Sequence, residues 1–126
     1  MATTPPTLDD LKRRYEDMIG FTPPKIAKRL QLGMRVDPEV TTALEDWRIA
    51  ALTPEALDQK TVQIMSFAIL LTQTSEAAGN HARAAIRAGA TLEELHAAAA
   101  IATLFRGVAA FNLAGELLAG LFPEEG

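Results

Sequence analysis

At four places along this chain a Thr or Asp is followed within two residues by an acid, in two of them after a proline: Thr7-Leu8-Asp9-Asp10, Asp37-Pro38-Glu39, Thr53-Pro54-Glu55 and Thr91-Leu92-Glu93-Glu94. This is helix-start chemistry. The side-chain oxygen accepts from a first-turn N–H, proline suits the first helical position, and acids there oppose the positive end of the helix dipole. The last of the four is a full capping box, with Glu94 three residues after Thr91. Stops are equally clear at Gly20, at Gly89 and at the Arg106-Gly107 break. No stretch alternates polar and apolar residues with β-branched enrichment, so no strand is expected. The fold class expected is all-α, with about six or seven helices.

Apolar spacing fills the intervals. Leu8, Leu11, Tyr15, Met18 and Ile19 recur at helical period up to Gly20. Phe21-Thr22-Pro23-Pro24 is a linker, because the residue before a proline leaves the helical region. A helix from Pro24 to about Met34 has Ile26, Leu30 and Met34 on one face. The helix starting at Asp37 has its apolar stripe at Val40, Ala43, Leu44, Trp47 and Ala51. Thr53-Pro54-Glu55 opens a short turn or helix. A helix over about Asp58 to Thr72 is apolar nearly all round from Ile64 to Leu71 and is expected to be central and buried. Thr74-Ser75-Glu76 interrupts it and caps a helix running to Ala88. An alanine-rich helix follows to Phe105, then a last one from about Val108 to Leu121.

Composition sets limits. The 126 residues suffice for one domain with a core. We expect a disordered arm over 1–6, one helical domain over 7–122 and an acidic tail over 123–126. The net charge is −4, with scattered Lys and Arg, so no nucleic-acid partner is expected. The longest apolar stretch is too short to span a bilayer. The start has neither a basic segment nor an apolar run, so a cytoplasmic location and no membrane partner are expected. There is no Cys, hence no thiolate nucleophile and no zinc-thiolate site. The two His residues form no H-x-x-x-H pattern, and no phosphate-binding glycine loop occurs, so no metal and no cofactor are expected.

His81 is the side chain of most chemical interest. At about 100° per residue, a helix from Ser75 to Ala88 aligns Thr74, Ala77, Ala78, His81, Ala85 and Ala88 on one face. Glu76, Asn80, Arg83 and Arg87 lie opposite. An imidazole among alanines has space beside it, either for a substrate or for a neighbouring helix, and it exchanges a proton near neutral pH. A core histidine bonded to a carbonyl or hydroxyl is the competing reading. His96 is expected in packing or at an interface. Trp47, Met65, Phe67, Phe105 and Phe111 read first as core.

The run Asn80-His81-Ala82-Arg83-Ala84-Ala85, continuing through Gly89-Ala90-Thr91 to Glu94-Leu95, resembles the H-x-R-x-A…G-x-T-x-x-E-(I/L) pattern of the carboxymuconolactone decarboxylase family. Phe105-Arg106-Gly107-Val108-Ala109-Ala110 resembles its aromatic-x-Gly break, and Gly20-Phe21-Thr22-Pro23 and Asp37-Pro38-Glu39-Val40 are typical upstream pieces. The resemblance covers roughly Ile19 to Leu118. It implies an alkylhydroperoxidase D-like helical bundle. The peroxidase branch uses C-x-x-C-x-x-x-H with an upstream relay Glu. Here Thr74 and Ala77 stand at the Cys positions, His81 remains and the Glu position falls near Val62. Without thiolates that activity is excluded.

The 4-carboxymuconolactone decarboxylase branch is similar in lacking the Cys pair and keeping the H-x-R-x-A run, although its frequent acid four residues before the His is Ala77 here. This resemblance implies a cofactor-independent lyase acting on a small organic acid or lactone, with His81 as general acid/base. Arg106, at the helix break, is the first candidate to hold a substrate carboxylate. Arg83 is the second, acting across to a neighbouring subunit, and Thr74 and Phe105 are candidate lining residues. Homotrimer or homohexamer assembly is implied. An isomerase, cyclase or retro-aldolase would use the same parts, and a non-catalytic oligomeric binding or scaffold protein is the remaining alternative.

Overall fold

The structure, a computed structural model, describes residues 4–124. Residues 1–3 of the N-terminal arm and 125–126 of the acidic tail lie outside the described residues. Among the described residues there are seven α-helices and no strand. They are α1 (Leu8–Ile19), α2 (Pro24–Val36), α3 (Pro38–Leu52), α4 (Gln59–Thr72), α5 (Ala78–Arg87), α6 (Leu92–Arg106) and α7 (Val108–Leu121). None of them is long and apolar enough to cross a membrane. The helices group into two compact units, Met1–Pro54 and Glu55–Gly126.

The helix ends follow their local chemistry. Thr7 and Asp10 form a reciprocal capping box, as do Thr91 and Glu94. The Asp10 carboxyl is held below its usual range, first by the hydrogen bond from the Thr7 N–H. Asp37 and Asp58 accept from Val40 N–H and Thr61 N–H. Gly20 closes α1 at φ 107°, in the left-handed region where only glycine is at ease. Thr53-Pro54-Glu55 forms a bend rather than a helix.

In the first unit α1, α2 and α3 pack on one another. Leu11, Tyr15 and Ile19 of α1 and Leu30 of α2 are buried, as their spacing predicts. Helix α3 turns the other way. Its apolar stripe is exposed, Trp47 at 71%, and the side chains it buries are Thr41 and Glu45. The cause is a polar pairing that outweighs apolar periodicity. Tyr15 Oη donates to Glu45 Oε1 at 2.6 Å, and Arg29 Nη2 donates to Tyr15 Oη at 3.0 Å. Arg29 Nη1 stands 3.2 Å from Glu45 Oε2, and the Arg48 guanidinium lies 4.3 Å from the Tyr15 ring centre. Glu45 Oε2 takes no well-aligned hydrogen bond, so Arg29 meets it as a charge.

The second unit is built around α4, which packs on α5, α6 and α7. Its core joins Phe67, Leu71, Leu95 and Leu118 to a set of buried alanines: Ala78, Ala82, Ala85, Ala98, Ala99, Ala102, Ala110 and Ala114. Helix α4 is not buried all round. Val62, Gln63, Phe67 and Leu71 face in, while Met65 and Ile69 are exposed. Of the aromatic residues read as core, Phe67 is fully buried and Phe111 partly so. Trp47 and Phe105 stand on the surface.

Two outcomes follow for the first unit. Glu45→Ala strands Tyr15 and leaves Arg29 without its counter-charge. Urea unfolding should show a loss of roughly 2–4 kcal/mol, below the ~3–5 kcal/mol of a fully buried pair because Arg29 stays partly in water. An unchanged midpoint would show that the network contributes nothing. Burial, then the hydrogen bond to Glu45, raises the Tyr15 hydroxyl above its ordinary 10.0. The folded state therefore keeps this proton longer than the unfolded chain does. The associated stability is complete below about pH 10 and is lost as pH climbs through the raised folded value. Tyr15→Phe should flatten this alkaline limb in a pH series of unfolding curves.

Candidate functional site

Helix α5 carries His81, and the turn before it decides which way the ring faces. After α4 the chain makes a tight turn at Gln73 and Thr74, with Ser75 N–H returning to Leu70 C=O at 3.0 Å. Thr74 lies at φ 49°. It therefore sits in a left-handed turn and not on a helical face with His81. The helix proper begins at Ala78, later than its spacing predicts, with no side-chain cap. Its buried face is Ala78, Ala82, Ala84 and Ala85, while Ala77 and Ala88 are exposed. The inward stripe is thus rotated from the predicted one, and His81 lies half-buried on its flank.

From there the ring meets α4. His81 Nδ1 is 2.7 Å from Gln63 Oε1. Gln63 is only 1% exposed, and its Nε2 donates to Gln59 Oε1, one turn earlier, at 3.4 Å. A buried amide without partners would be costly. Here it lies between Gln59 and the imidazole. Gln63 is not among the residues the sequence singles out: the relay carboxylate position falls beside it, near Val62. The available signal was an amide immediately before the apolar run Ile64–Leu71.

The other candidates are dispersed. Arg83 is exposed on α5, two residues past His81. Thr74 is exposed in the turn, its Oγ1 donating to Gln73 C=O at 2.7 Å. Phe105, 79% exposed, and Arg106 end α6, where Gly107 at φ 100° breaks the chain into α7. No described hydrogen bond or ion pair joins these four to the imidazole; its described partner is Gln63. His96 instead sets its ring 5.0 Å from that of Phe111, at 45°. Both border a recess of about 330 Å³ between α6 and α7, also lined by Leu92, Val108, Asn112 and Leu118. Lys60 and Glu94 tie α4 to α6 at 2.8 Å, and the Lys60 hydrogen bond draws the Glu94 carboxyl below its usual range. Among the described residues no group of three His, Cys, Asp or Glu side chains is placed to hold a metal ion.

The described residues are all-helical or connecting segments, His81 is bonded to a buried amide, and the sequence carries no cysteine. The model of the carboxymuconolactone decarboxylase family matches residues 38–119, about two thirds of the chain, and the protein belongs to that family. Its all-helical structure agrees with the alkylhydroperoxidase D-like fold the resemblance implied. Comparison with curated proteins and with solved structures gives no match.

The Thr74 turn offers a direct test of strain at the site. A β-branched residue in the left-handed region is costly, and glycine is at ease there. Thr74→Gly should raise stability by up to ~1 kcal/mol, after its own entropic cost, in thermal unfolding. A lower midpoint would mean that contacts of the threonine outweigh the strain.

Proposed function

We propose that this protein is a cofactor-independent lyase that removes CO₂ from a small organic acid or lactone, with His81 as general acid/base. The observation that carries this reading is the 2.7 Å contact between His81 Nδ1 and the buried Gln63 amide. A half-buried imidazole held at Nδ1 by a buried amide keeps a fixed orientation, which suits a group that transfers a proton near neutral pH. Membership of the carboxymuconolactone decarboxylase family supports this reaction class.

In the proposed reaction the bond from the substrate carbon to its carboxylate breaks. CO₂ leaves, and the electron pair remains on the organic fragment as a dienolate. The imidazolium of His81 gives a proton from Nε2 to that carbon, and solvent restores the ring's proton. Arg106 is proposed to hold the substrate carboxylate until it leaves. Arg83 is proposed to serve a neighbouring subunit, and Thr74 and Phe105 to line the substrate. The proposed setting is cytoplasmic. The proposed assembly is a homotrimer or homohexamer, supported by the exposed apolar residues Ile101, Leu104, Phe105 and Val108 around the Gly107 break. An isomerase, cyclase or retro-aldolase would employ the same histidine, and product analysis with CO₂ detection separates these. A second reading, a non-catalytic oligomeric binding or scaffold protein, draws on Ala77, which stands where the decarboxylases often carry an acid.

The deciding experiment follows CO₂ release from 4-carboxymuconolactone and from a panel of small lactone and dicarboxylic acids. His81→Ala should lower kcat by roughly 10²–10⁴-fold, the usual contribution of a positioned acid/base. Turnover untouched by that substitution removes His81 from the mechanism. Product formed without CO₂ favours the isomerase, cyclase or retro-aldolase reading.

A further inference from the structure

A carboxamide has an acceptor end and a donor end, and Gln63 uses them in different directions. Its Nε2 donates to Gln59 Oε1 at 3.4 Å, and its Oε1 faces His81 Nδ1 at 2.7 Å. An acceptor oxygen at that distance requires a proton on Nδ1. We propose that Gln63 is a positioning residue that locks His81 in the Nδ1–H tautomer, so that Nε2 alone takes up and releases the catalytic proton. The catalytic half of this inference rests on the function proposed above; the tautomer rests on geometry.

The lock works against the imidazole's own preference. In water the neutral ring of histidine favours the Nε2–H form, in which Nε2 cannot accept a proton. Turning Nδ1 toward a buried acceptor reverses the choice, because the other tautomer would set two lone pairs against each other out of reach of water. The same contact survives protonation: Nδ1–H donates to Gln63 in both the neutral ring and the imidazolium. The ring therefore keeps its orientation while its charge changes. Gln59 completes the device. It lies four residues before Gln63 on the same helical face, where side chains meet, and holds the amide with Nε2 away from the ring.

Long-range ¹H–¹⁵N correlation of the ring in ¹⁵N-labelled protein, at a pH where His81 is neutral, reads the tautomer without a substrate. Wild type should show a protonated Nδ1 and an unprotonated Nε2. Gln63→Leu should shift the majority to Nε2–H, and Gln63→Glu, whose carboxylate only accepts, should restore Nδ1–H. Should Gln63→Leu fail to fold, Gln59→Leu releases the amide and should give a mixture of tautomers. A wild-type ring in the Nε2–H form overturns the proposal, as does a folded Gln63→Leu protein that keeps Nδ1–H. On 4-carboxymuconolactone, Gln63→Leu should lower kcat at least tenfold with little change in KM, and Gln63→Glu should recover most of it, within the roughly 10²–10⁴ that positioned acid–base catalysis supplies. An Nδ1–H wild-type ring together with unimpaired turnover by His81→Ala sinks the catalytic half, and with it the proposed function, while the tautomer assignment holds.

Discussion

Alanine is the constraint on which the second unit depends. Ala78, Ala82 and Ala85 of α5 and Ala98, Ala99 and Ala102 of α6 are buried in one cluster with Phe67 and Leu71 of α4. Each buried methyl contributes only about 0.8 kcal/mol. Such a core gains less from area than from the close approach that small side chains allow. Larger residues in their place would force the helices apart. That closeness brings a polar atom on one helix within hydrogen-bonding distance of a polar atom on the next. The register of α4 against α5 then has to satisfy Gln63, which has lost its water and finds His81 and Gln59 instead.

The first unit solves the same problem with larger and more polar pieces. Tyr15, Glu45 and Arg29 form one network, with Arg48 over the ring. A buried ion pair is a weak source of stability, since desolvation offsets much of the attraction. It does select geometry. Rotating α3 to bury Trp47 would carry Glu45 away from both Tyr15 and Arg29 and strand a hydroxyl among apolar neighbours. The exposed stripe on α3 is the consequence of keeping that network intact.

The difference between what was legible in the chain and what was not has one physical source. Helix ends are local. Thr7, Asp37, Asp58, Thr91, Gly20 and Gly107 act within one turn of themselves, and the structure places the boundaries where this chemistry puts them. Helix faces are not local. Apolar periodicity turns α3 the wrong way because the partner of Glu45 lies 30 residues away. It misplaces Thr74 because the return of Ser75 N–H to Leu70 opens a left-handed turn before α5 begins. His81 stood out through its chemistry, but Gln63 did not. An amide has no charge and no motif, and only the folding of α4 onto α5 gives it a role.

That role bears on which chemistry suits the site. A carboxylate beside Nδ1 would set a negative charge against the imidazolium and favour a ring that holds its proton. The Gln63 amide orients the ring and adds no charge. A thiol peroxidase needs a partner that draws a proton from sulfur, and this chain has no sulfur nucleophile to activate. Decarboxylation makes a different demand. After CO₂ departs, the carbanionic fragment must be protonated quickly at one carbon, by a donor that gives its proton up readily and in a fixed direction. An acceptor behind Nδ1 meets the demand for a fixed direction, and the Gln63 amide does so without adding charge. On the proposed function, proton delivery by His81 is the chemistry that fits Thr74 and Ala77 at the thiol positions and Gln63 behind the ring.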